Sequence, residues 1–167
     1  RPLRGVRAPR EKDSGPGIQE AVTLGLQVRD RISQLHQAIN EIRETTTQID
    51  SLKKRFAEND KVKPALAAAA DLETKAAAIE GVLMQVKMKS SEGNLVFPNE
   101  LNEEFYSFNG TIDADSAPTE PQQAVFKKLS TRLDEQLQQW TALKQTDLPK
   151  VNELIKQADV PALAVAK

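Results

Sequence analysis

Eight residues, Ile32, Leu35, Ile39, Ile42, Thr46, Ile49, Leu52 and Phe56, follow one another at steps of three or four, and all but Thr46 are large and apolar. That period matches the α-helical turn and places them on one stripe of a single helix. The spacing predicts a helix over about residues 19–59. At ~1.5 Å per residue such a helix is roughly 60 Å long. It is not stable alone in water, because most helical stability in proteins comes from covering an apolar face. Rods of comparable length must therefore pack against it, and this requirement constrains the whole fold.

The rest of the chain supplies candidates. Glu58-Asn59-Asp60 ends or turns the first helix, with Asp60 a suitable N-cap for the next and Pro64 in its first turn, where a missing N–H costs little. The second helix is expected to reach about Met88. It holds eight alanines between Ala65 and Ala78, with Leu66, Leu72, Ile79, Val82, Leu83 and Val86 as its larger apolar groups. Residues 89–98 (KSSEGNLVFP) read as a loop, whose Leu95, Val96 and Phe97 are apolar enough to cap one end of a core. A shorter helix over about 99–112 carries Leu101, Phe105, Phe108 and Ile112, and residues 113–118 (DADSAP) break it. Thr119 with Gln122 forms a capping box, and Pro121 sits in the first turn, the strongest local helix start in the chain. The helix that follows carries Val125, Leu129, Leu133, Leu137, Trp140 and Leu143. Pro149 interrupts it, and Leu148, Val151, Leu154 and Ile155 form a short final helix or a kinked continuation.

The fold class expected is all-α: an elongated antiparallel bundle of three long helices and one or two short ones. A parallel coiled-coil dimer is the rival, disfavoured because one chain already carries three stripes joined by loops. Residues 1–17, with three prolines, three glycines and five basic groups, read as a flexible basic linker or tail. The bundle would occupy 18–156, and 157–167 would be a C-terminal tail. Scarce glycine and plentiful Ala, Leu, Gln, Glu and Lys agree with a helical chain.

Signals for chemistry are sparse. With 23 basic and 24 acidic side chains, the charge balance points to neither nucleic acid nor an anionic membrane as the main partner. No apolar run approaches the ~20 residues of a bilayer-spanning helix. There is no cysteine, which excludes disulfides, thiolate metal sites and cysteine nucleophiles. The one histidine, His36, has no acid at i+4 and reads as a surface residue rather than a ligand. Neither a Gly-rich phosphate loop nor a Gly-x-Ser-x-Gly elbow occurs. Glu103 with Glu104, Asp134 with Glu135, and Lys53, Lys54 and Arg55 read as solvated faces. Trp140 lies on the Leu133, Leu137 stripe and is expected in the core. Asn109-Gly110-Thr111 matches the N-glycosylation pattern, and is otherwise a helix-end turn. No catalytic, cofactor-binding or metal-ligating residue is assigned.

Longer strings carry a resemblance. Residues 86–102, ending in PNELN, the run QAVFKKLSTRLD at 123–134, and TDLP at 146–149 with Asn152 resemble one protein group. So do LQVRDRI at 26–32 and INEIR at 39–43. The group is the C-terminal helical region of large bacterial proteins with sortilin-like, BNR-repeat β-propellers, often described as sialidase-like or glycosyl hydrolases. The resemblance covers roughly residues 18–156. It implies a periplasmic or extracellular setting, and a propeller, upstream in the same protein, that carries any glycan or peptide binding. The chain itself holds no Asp-box repeat. On that basis the expected function is a non-catalytic structural or interaction module whose partner is the upstream propeller or another protein. The alternatives are an amphipathic helical protein that opens to bind lipid or a hydrophobic partner, and, last, a glycoside hydrolase fragment.

Overall fold

The computed structural model describes residues 15–88, 96–113 and 116–160, and every regular element among these described residues is a helix. In chain order they are α1 (Gly15–Arg55), a one-turn 3-10 helix (Asp60–Val62), α2 (Lys63–Leu83), α3 (Leu101–Asn109), α4 (Glu120–Gln145) and α5 (Asp147–Gln157). They assemble into three rods. Salt bridges from Arg43 to Glu80 and from Lys53 to Glu73 show α2 running back along α1. Pairs from Arg31 to Asp134 and from Glu41 to Lys144 show α4 running in the same sense as α1. Glu104 with Arg132, and Thr111 with Gln122, set α3 antiparallel to α4. So α1 is the first rod, α2 and α3 end to end form the second, and α4 and α5 form the third. The result is the elongated antiparallel bundle of three long helices and two short ones, with successive rods reversing direction.

The stripe that predicted α1 is its packing face. Leu35, Ile39, Ile42, Ile49 and Phe56 are buried, and the stripe continues upstream through Ala21, Leu24 and Val28. The helix starts at Gly15 with Pro16 in its first turn and Gly17 buried, so residues 15–17 belong to the rod rather than to a linker. Residues 1–14 lie outside the described residues. At the other end Asn59, not Asp60, is the cap. Its Oδ1 accepts the Lys61 N–H at 3.1 Å and starts the 3-10 turn, which delivers Pro64 into the first turn of α2.

The second helix is shorter than its composition predicts. It stops at Leu83, where Met84 turns extended (φ −151°, ψ 154°), five residues before Met88. The buried Gln85 amide donates to the Pro98 carbonyl at 3.0 Å and accepts the Lys87 N–H at 3.2 Å. These bonds hold Gln85 outside the helix ladder, just past the end of α2. Val86 is exposed as a result. The described flanks of the connection to α3, residues 84–88 and 96–100, lie midway along the second rod rather than at an end of the core. Val96 is 75% exposed and Phe97 only half-buried. Leu95 falls outside the described residues. The Glu103 carboxylate holds the far side of this corner, accepting the N–H groups of Glu100 at 3.0 Å and Gln85 at 3.3 Å.

α3 buries Leu101, Phe105 and Phe108 at the expected spacing. α4 begins on the Thr119–Gln122 capping box with Pro121 in its first turn. It buries Leu129, Leu133 and Trp140, whereas Val125, on the same stripe, is 43% exposed and opens into a groove beside α3. The third rod breaks at Thr146, and Pro149 falls in the first turn of α5, so the short final helix is separate. Lys75 reaches across from α2 to pair with Asp147 at this joint, and that ammonium holds the Asp147 carboxyl below its usual range. Folded structure continues past residue 156. Ala158 is buried, and Val160 packs against the group formed by Phe56, Val62 and Ala65. Residues 161–167 lie outside the described residues.

Candidate functional site

Several of the polar groups singled out in the sequence hold rods together. Trp140 is 2% exposed, and its Nε1–H donates to Glu41 Oε2 at 2.8 Å. Lys144 donates to the same oxygen at 2.7 Å, and Gln37 to Oε1 at 3.1 Å. The ammonium of Lys144 also sits 5.7 Å from the Trp140 ring centroid, a cation–π arrangement. These contacts, Lys144 first and Trp140 second, hold the Glu41 carboxyl below its ordinary range against the opposing effect of burial. A carboxylate bound at both oxygens and kept ionised is a poor general base near neutrality. It ties α1 to α4.

His36 is exposed, with Nε2 2.9 Å from Asn102 Oδ1 and its ring tilted 6.2 Å from that of Tyr106. The neighbouring Glu103 serves the α2–α3 corner, and Glu104 pairs with Arg132 across the α3–α4 interface. These two are half-buried clamps rather than the solvated face expected of them, because α3 lies between two rods and presents polar flanks to both. Asp134 pairs with Arg31, and Lys53 with Glu73, while Glu135 and Lys54 are exposed. Arg55 lies over the Phe56 ring at 4.8 Å. Asn109 is the exposed last residue of α3, and the Thr111 hydroxyl donates back to the Phe108 carbonyl at 2.7 Å, closing the turn. Among the described residues no group of three or more His, Asp or Glu side chains is gathered as for a metal ion.

The surface that stands out is apolar and lies at one end. Among the described residues the large exposed apolar ones are Ile18, Val22, Leu26, Val86, Val96, Tyr106 and Val125, and three of them lie within the first twelve residues of α1. At the start of α1 the rods differ in length. Phe108, next to the last residue of α3, stacks on Phe126, which shares a shallow groove with Leu24 and Gln27. α3 thus ends level with Leu24, while α1 starts at Gly15, nine residues and roughly 13 Å further out. Ile18, Val22 and Leu26, at 41%, 46% and 47% exposure, form a second stripe at four-residue steps, the first two on this overhang and the third just inside it. The sequence carries that four-residue spacing, upstream of the longer Ile32–Phe56 stripe.

A second opening lies between α3 and α4. This groove, about 600 Å³, has Phe108, Leu129 and Val125 along its floor and Ser107, Lys128 and Arg132 on its walls. No helix among the described residues is long and apolar enough to cross a membrane. No protein-family model matches the chain, and no curated protein or solved structure matches it either.

Proposed function

We propose that the chain is a non-catalytic helical interaction module, the C-terminal part of a larger secreted or cell-surface propeller protein, and that it docks on that propeller. One observation carries the reading. Among the described residues, Ile18, Val22 and Leu26 stand exposed at four-residue steps along one face of α1 near its start. Soluble chains scatter single apolar residues over their surfaces, whereas a set aligned along one helix face marks an interaction surface. The titratable side chains support the same reading, because Glu41, Glu104, Asp134 and Asp147 are spent on clamps between rods.

The test pairs this chain with the propeller encoded in the same reading frame. Hydrogen exchange of residues 18–26 is followed with the propeller absent and present. Docking predicts slower exchange there and an unchanged rate at Leu133. Equal rates at 18–26 in both samples refute it. A lipid-binding role predicts instead that the chain sediments with anionic vesicles. Hydrolysis of aryl glycosides by this chain, abolished by substituting one carboxylate, would overturn the non-catalytic assignment.

A further inference from the structure

The α3–α4 groove combines an apolar floor with one uncompensated cation. Val125 stands at i−4 and i−8 from the buried Leu129 and Leu133, a core position by sequence, yet it lies open in the groove. A position where the sequence pattern and the structure part company is where function is to be sought. Two cations one helical turn apart, Lys128 and Arg132, line the α4 wall. Arg132 is neutralised by Glu104 from the opposite wall. Lys128 is exposed and has no acidic partner among the described residues, so the groove carries a net single positive charge. Its volume of about 600 Å³ lies inside the ~300–1,000 Å³ range of small-molecule sites, and a mainly apolar lining with few converging polar groups is their usual character.

We propose that this groove binds a small amphiphile with a single anionic head, such as a medium-chain carboxylate. The head pairs with Lys128, and the apolar chain lies over Val125 and the Phe108 ring. Glu104 disfavours a second negative charge on the ligand, which restricts the class to monoanions. The site is independent of any docking through α1, since none of the groove residues lies on that helix.

Titration of the full chain with octanoate, followed by amide chemical shifts, tests the assignment. Octylammonium, with the same chain and the opposite charge, is the control. Saturable shifts are expected at Phe108, Val125 and Leu129, with a dissociation constant on the order of 0.1–1 mM for so open a site. Lys128→Glu, at an exposed position that leaves the fold intact, should weaken octanoate by about five- to tenfold, as expected for reversing one solvent-exposed ion pair. Val125→Gln should weaken it as well without altering the helical circular dichroism. The proposal fails if octanoate produces no saturable shift at these residues up to about 10 mM, well above the expected constant. It fails equally if octylammonium binds as tightly, or if Lys128→Glu leaves binding unchanged.

Discussion

The two ends of the bundle are built from the same helical period and finish differently. Where α1 turns into α2, Phe56, Val62, Ala65 and Ala158 come together, contributed by all three rods, and each is no more than 8% exposed. At the opposite end the start of α1 projects past α3, and Ile18 and Val22 remain in solvent, with Leu26 exposed just inside them. The closed end uses small side chains on α2, Ala65 and Ala69, at 1% and 0% exposure, which let the neighbouring rods approach closely. The open end carries larger side chains and has no second-rod helix to cover them. A helical stripe fixes which face seeks a partner. Whether the face is covered depends on how far the partner rod extends.

The largest effect should come from the section between the ends, where all three rods meet. Leu133 is fully buried in the main apolar group with Leu35, Phe105 and Trp140. Leu133→Asp removes that burial, worth ~1.5–3 kcal/mol, and adds an unpaired carboxylate to an apolar site, so the total loss should exceed about 4 kcal/mol. Urea titration read by circular dichroism should show little or no folded baseline. An unchanged midpoint would contradict the three-rod packing.

Overpacking tests the closed end. Ala65 is 1% exposed among Phe56, Val62 and Ala158, so Ala65→Leu should cost about 1–3 kcal/mol by forcing the rods apart. A thermal melt that stays put, or rises, would mean this end is looser than its burial indicates, and the contrast between the ends would disappear.

Protonation probes the clamp between the first and third rods. Glu41 has an ordinary value of 4.5 and is depressed in the folded chain, chiefly by Lys144 and Trp140. A group whose folded value lies below its unfolded value stabilises the fold above the unfolded value. That contribution disappears as pH falls through the folded value. Stability should therefore decline as pH drops below about 4.5, and Glu41→Gln should flatten the profile in that window. Identical slopes for the two proteins would show that the clamp contributes nothing measurable.

How much of this was readable beforehand follows from the range of the interactions. Stripes and caps are local, so the bundle, the Thr119–Gln122 box and the burial of Trp140 are legible in the sequence, which leaves a separate final helix and a kinked continuation both open. The end of α2 is not legible there. Just past it Gln85 reaches Pro98, a contact between residues thirteen apart that periodicity does not encode. Val125 lies on a correct stripe, but its exposure depends on the groove left where α3 and α4 sit side by side, which spacing within α4 does not encode. The clamping roles of Glu103 and Glu104 likewise depend on where α3 sits between its neighbours, which no spacing within α3 reveals.

The smallest expected effect is the most discriminating for the open end. Val22 is 46% exposed on α1, and a lysine there keeps helix propensity while adding a solvated charge. Val22→Lys should therefore shift stability by no more than about 0.5 kcal/mol, the usual range for a surface substitution. A urea midpoint within error of the parent, together with loss of propeller docking, would separate the role of this face in binding from any role in folding. A drop comparable to that of Ala65→Leu would mean that something covers Val22 in the free chain, either this chain itself or a second copy. Dilution distinguishes these two, because only association between copies makes the midpoint depend on protein concentration.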